Sequence, residues 1–134
     1  MAIDYGAKRT GVAVSDPLQI IANGLDTVST GELMDFLKKY LAEEDVEKMV
    51  VGDPLQLDGS PAHIAHLVVG FVRQVQKEYP HIEVIMQDER YTSQDAKKII
   101  FQSGVGRKKR RDKSLVDKIS AVLILQEYLE RQRY

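Results

Sequence analysis

The sequence predicts an α/β fold: one mixed sheet with helices packed on both faces. Three observations lead there. Short alternating runs joined by turn residues open the chain, strand-like runs then alternate with helical periodicity, and 134 residues suit a single domain with one core. Residues 1 to 5 and 11 to 15, the latter with Val12 and Val14 alternating, flank a glycine-containing turn and read as a hairpin. A third strand follows the Asp16-Pro17 breaker, over Ile20 to Val28. Ser29-Thr30-Gly31-Glu32 has the form of a capping box, and Leu33, Leu37, Tyr40 and Leu41 recur at helical spacing behind it.

Lys48 to Gly52 is a valine-rich apolar run of the kind found in a buried strand. Ser60-Pro61 reads as a helix start, and Ile64, Val68, Phe71, Val72, Val75 and Tyr79 form the helix's apolar stripe up to the stop at Pro80. Ile82, Val84 and Met86 alternate as another strand. Thr92 with Asp95 caps a short helix carrying Ala96, Ile99 and Ile100, and Ser114 to Arg131 form a last long helix. An antiparallel meander thus feeds strand–helix–strand crossovers.

Composition narrows the function classes. With 43% hydrophobic and 29% charged residues the chain is an ordinary soluble globular one. No apolar run has membrane-spanning length and the start lacks a secretion-signal pattern, so a cytoplasmic protein without a membrane partner is expected. The absence of cysteine excludes disulfides, thiol catalysis and thiolate zinc sites. Carboxylates and imidazoles remain as metal ligands, and oxygen ligands favour Mg2+ or Mn2+. A net charge of −1 argues against indiscriminate polyanion coating. The basic run "GRKKRRDK" nevertheless gathers Arg107, Lys108, Lys109, Arg110, Arg111 and Lys113 just before the last helix. There it would hold a phosphodiester backbone, unless it is simply a solvated charge run.

Acids stand in awkward places. Asp4 ends the first strand, Glu89 lies just past the last, and Asp117 shares a helix face with Ala121, Ile124 and Tyr128, which should pack on the sheet. A buried unpaired carboxylate costs several kcal/mol, roughly, unless a positive group or proton meets it. Strand ends beside crossover helices commonly bind ligands, and carboxylates converging there repel one another until a divalent ion neutralises them. Two such ions about 3.5 to 4 Å apart activate water and stabilise a leaving oxygen in phosphodiester hydrolysis. Taken singly, each acid also has an ordinary role: Asp4 as a turn former, Glu89 as the surface partner of Arg90, and Asp117 as a charge complementing the helix dipole. His63 and His66 have helical ligand spacing but no matching acids, and His81 is remote, so packing or surface roles are expected for them. The Gly6 to Gly11 turn is a weak phosphate-cradle signal.

The segments "AIDYGAKRTGVAVSD", "VVGDPLQLDGS", "DERYTS" and "LVDKISAVLILQEYL" resemble, in order and spacing, the signature blocks of the YqgF family, described as Holliday junction resolvases or pre-16S ribosomal RNA nucleases. The resemblance implies a ribonuclease H-like fold with a five-stranded mixed sheet and a metal-dependent nuclease site. It implies Asp4, Glu89 and Asp117 as catalytic metal ligands and Lys8 and Arg9 as phosphate contacts, with Arg90 beside them. The implied partner is structured RNA or branched DNA, and paired cuts at a junction would call for a homodimer. Asp53 stands where the family usually has an apolar residue, and Lys118 where it often has a small one. The reading from another class is a non-catalytic nucleic-acid-binding module on the same fold. A sugar-kinase-like nucleotide site also uses Asp-x-Gly hairpins, but it needs two facing domains.

Overall fold

The computed structural model describes residues 1–16, 18, 21–54, 62–88 and 113–132. Strands β1 (Ala2–Asp4), β2 (Arg9–Ser15) and β3 (Ala22–Ser29) are followed by a 3-10 turn at Thr30–Glu32 and helix α1 (Leu33–Glu43). Strand β4 (Lys48–Asp53), helix α2 (Ala65–Glu78), strand β5 (Glu83–Asp88) and helix α3 (Lys113–Gln132) complete the described elements. The five strands form one sheet in the order β3-β2-β1-β4-β5. Pairing is antiparallel from β3 through β1 and parallel from β1 through β5. The mixed sheet expected from the sequence is therefore present, and the expected short helix over 92–100 lies outside the described residues.

Alternation along the strands sorts the core into two layers. Ile3, Val12, Met49 and Val51 pack with Leu33, Leu37, Val68, Phe71 and Val75 beneath α1 and α2. Ala2, Ala13 and Val50 pack against Ala121, Ile124, Leu125, Tyr128 and Leu129 of α3 on the other face. The small side chains of Ala2 and Ala13 let α3 lie close to the sheet, whereas the first layer is filled by larger ones. Helices thus cover both faces, as expected.

Several boundaries differ from the sequence reading for identifiable reasons. β2 begins at Arg9, because its pairing with β3 extends as far as Arg9 opposite Ser29. Ser29 makes no side-chain cap bond, and α1 proper begins only at Leu33. The neighbouring Thr30 hydroxyl instead donates to the Gly6 carbonyl at 2.6 Å and lies 2.9 Å from the buried Thr10 hydroxyl. The capping-box pattern therefore serves the β1–β2 turn. α2 begins at Ala65, so Ala62 to Ile64, which the sequence reading places in the helix, lie outside it, and Ser60-Pro61 themselves fall outside the described residues. Asp16 ties the β2–β3 connection by accepting from the Ile21 N–H at 2.7 Å, an ordinary turn role for aspartate.

β1 is held from both sides. The Met1 amine donates to the Lys48 carbonyl at 3.2 Å, and the Val50 N–H donates to the Met1 carbonyl at 2.8 Å. Burial lowers the amine pKa from 8.0 to about 6, so it is mostly uncharged at neutral pH. At the far edge, buried Gln87 of β5 donates through Nε2 to the Ile124 carbonyl of α3 at 2.9 Å. Replacing Gln87 with leucine is expected to lower stability by about 1 to 2 kcal/mol, since the lost bond is buried. Urea denaturation checks this, and an unchanged midpoint would show that the bond contributes nothing.

Candidate active site

Asp4, Asp53 and Asp88 end the parallel strands β1, β4 and β5, so they stand at one edge of the sheet. Parity divides them. Asp4 shares its face with Ala2, under α3. Asp53 shares its face with Met49 and Val51, under α1 and α2, and its register partner is Asp88. The extra acid of this sequence therefore lies on the opposite face of the sheet from Asp4.

What brings Asp117 to Asp4 is glycine. Asp4 is paired with Gly11, and residues directly opposite in an antiparallel ladder carry their side chains on one face. A Cβ on Gly11 would run into the backbone carbonyl of Asp117. The first turns of α3 are therefore seated on the sheet beside Asp4, where any larger residue in β2 would hold them off. A second glycine repeats the device in β3, where a Cβ on Gly24 would come within 2.7 Å of Lys118 Cγ and 3.4 Å of Val122 Cγ2. The long residue at 118 is accommodated because its aliphatic stem crosses Gly24. Thr27 fastens the same turn by donating its hydroxyl to the Ser114 carbonyl at 2.6 Å. None of these three contacts was foreseen from the sequence, although glycines at non-turn positions of a strand pattern signal close backbone approach.

A positive partner meets Asp117, and it comes from the first residue of β2. Arg9 Nε donates to Asp117 Oδ2 at 2.9 Å, joining residues 108 apart in sequence. Arg9 has the parity of Gly11 and Ala13, so it projects on the α3 face. With side chains 39% and 24% exposed, this single-nitrogen pair is solvent-screened and is worth about 0 to 1 kcal/mol. The β1–β2 turn before it is fixed by the Thr10–Thr30 hydroxyl pair and by the Thr30 N–H, which donates to the Lys8 carbonyl at 3.0 Å. Lys8 is exposed at the mouth of this turn.

Of the site residues predicted from sequence, the structure brings Asp4, Arg9 and Asp117 to one end of one face, with Lys8 next to them. Glu89, Arg90, Arg107, Lys108, Lys109, Arg110 and Arg111 lie outside the described residues, and Lys113 is the first residue of α3. Asp4 and Asp117 offer hard oxygen donors of the type Mg2+ and Mn2+ prefer. Among the described residues no group of three or more His, Cys, Asp or Glu is arranged to hold a metal ion. His66 Nδ1 lies 2.9 Å from the His63 carbonyl, and His81 meets the Tyr79 ring edge-on, in keeping with surface and packing roles. The Ser120 hydroxyl, buried one turn beyond Asp117, has no partner among the described residues, and nothing in the structure explains it.

A cleft of about 510 Å³ opens at the other end of the sheet, between Met1, Val14, Asp16, Tyr40, Lys48 and Tyr128. It contains none of the predicted catalytic residues. The arrangement of acids and cations at the opposite strand ends is therefore the better candidate for chemistry, size of cavity notwithstanding. No helix among the described residues is long and apolar enough to cross a membrane.

Comparison with known proteins matches residues 1–131 to the RuvX family, described as Holliday junction resolvase. A protein of Phocaeicola vulgatus named "Putative pre-16S rRNA nuclease" is 50% identical over 134 residues, covering 100% of this chain and 96% of its own. A protein of Flavobacterium johnsoniae with the same name is 46% identical over 134 residues, covering 100% of this chain and 97% of its own. Another, from Porphyromonas gingivalis, is 46% identical over 130 residues, covering 97% and 94%.

Proposed function

The chain belongs to the RuvX family, whose fold is ribonuclease H-like, and from that premise we propose that it is a divalent-metal-dependent endonuclease trimming the 5′ end of precursor 16S ribosomal RNA in the cytoplasm. The observation that supports the reading is the seating of the Asp117 backbone on Gly11, the residue paired with Asp4. Full-length similarity to proteins named as pre-16S rRNA nucleases supports the RNA substrate, and the family description supports branched DNA as a second one.

Asp4, Asp117 and, as the third ligand, Glu89 would hold the metal in a single domain. When bound, Mg2+ or Mn2+ supplies water activation and charge neutralisation at the scissile phosphate. The chain's own residues do the rest. Lys8 and Arg9 receive the phosphate backbone at the mouth of the turn, and Arg90 with the basic segment Arg107 to Lys113 holds flanking phosphates, contacts that position without reading sequence. Carboxylates at the ends of packed elements keep the donor oxygens in place without reorganisation.

The test is a cleavage assay with the purified chain on an end-labelled precursor 16S fragment and on a four-way DNA junction, with Mg2+, Mn2+ or chelator. Metal-dependent shortening of the RNA 5′ end is expected. Cutting of the junction alone would move the substrate to branched DNA. Tight binding with no cutting under any condition would overturn the enzyme reading in favour of a non-catalytic nucleic-acid-binding module.

A further inference from the structure

We propose that Arg9 is a displaceable counter-ion of Asp117, competing with a divalent cation for Oδ2 and released when the cation loads. The inference rests on the metal-dependent reading above and adds a role for Arg9 in loading the site. It starts from an asymmetry in how the pair is held. The Asp117 end is fixed: its backbone sits on Gly11, and the preceding turn is tied to Thr27. The Arg9 end is a long side chain with more than a third of its surface in solvent, bound among the described residues through Nε only. A guanidinium joined to a carboxylate by both prongs is geometrically locked, whereas one joined by a single nitrogen turns away readily.

Occupancy of Oδ2 by a cationic group opposes a second cation at the same oxygen, both by covering a lone pair and by like-charge repulsion. The guanidinium thus stabilises the Asp117 carboxylate, and it weakens metal binding by the same contact. Once displaced, Arg9 remains anchored in β2 at the mouth of the site, where it can meet an incoming phosphate. Metal and phosphate are then linked through one side chain: each favours the Arg9 position that the other needs, and the linkage is reciprocal.

Mn2+ titration followed by electron paramagnetic resonance of the free ion reads this without any cleavage step. Arg9→Gln is expected to bind Mn2+ about two- to fivefold more tightly than the parent, the range a solvent-screened ion pair permits. Arg9→Lys, which keeps the charge but loses the fork, should fall between them. Asp117→Asn should bind more weakly, and adding Arg9→Gln to it should bring no gain, because the competed oxygen is gone. Thermal melting of each variant establishes that it is folded, and Arg9→Lys serves should Arg9→Gln fail to fold. Equal or weaker Mn2+ binding in Arg9→Gln, or a gain that survives in the Asp117→Asn background, overturns the proposal while the metal-dependent reading stands. Absence of Mn2+ binding to every protein, the parent included, overturns both.

Discussion

Asp117→Asn is expected to slow phosphodiester cleavage by more than about 100-fold, beyond the 10- to 100-fold that groups supporting a metal ligand usually carry. The substitution keeps the size of the side chain and removes its charge. Because the Arg9–Asp117 pair is solvent-screened, stability should change by less than about 1 kcal/mol. The separation between the two effects is the informative part. A residue placed at a first turn only to complement a helix dipole would affect melting slightly and cleavage hardly at all. Single-turnover assays on whichever of the precursor 16S fragment and the four-way junction is cut, run beside thermal melting, check both arms. Cleavage at the parental rate would remove Asp117 from the catalytic group.

Gly11→Ala is the most disruptive small substitution the fold predicts. The added methyl would meet the backbone carbonyl of Asp117, and backbone cannot swing aside as a side-chain tip can. Either α3 lifts from the sheet over β2 or the strand bends. Overpacking of this kind costs about 3 kcal/mol or more, which in a domain of this size lowers Tm by about 10 °C. Gly70→Ala provides the contrast. Gly70 lies on the exposed side of α2 with nothing within 4 Å of an added Cβ, and the same change there should stabilise by about 0.5 to 1 kcal/mol. Opposite signs for one chemical change would isolate the close approach as the cause. A Gly11→Ala protein that melts with the parent would mean that α3 is not seated as described.

The elements were legible in the sequence wherever periodicity and punctuation agreed. Met49, Val50 and Val51 run into Gly52 as a buried strand, and the buried face of α3 is the one counted from Asp117 through Ala121, Ile124 and Tyr128. Where two uses of one residue competed, local reading gave the wrong one. Thr30 looks like part of a helix cap, yet its hydroxyl closes the β1–β2 turn, a choice decided by Gly6 and Thr10 more than 19 residues away. The site was legible as a set of residue types but not as a set of partners. Asp4 and Asp117 stand out as acids on apolar faces, whereas the cation that meets Asp117 is 108 residues distant and nothing nearby marks it. Asp53 shows the converse: it adjoins the site in sequence pattern and is separated from Asp4 by strand parity. Parity at a strand end depends on register, which only pairing fixes.

The placement of β1 between β2 and β4 has a kinetic consequence. Freeing the backbone that carries Asp4 requires breaking two ladders at once, so amide exchange there follows global unfolding. Asp117 rides on a helix that can part from one face of the sheet while the ladders persist. Sub-global opening would therefore dismantle the constellation from its helical side first, and the central strand would keep its own acid in place until the whole domain melts.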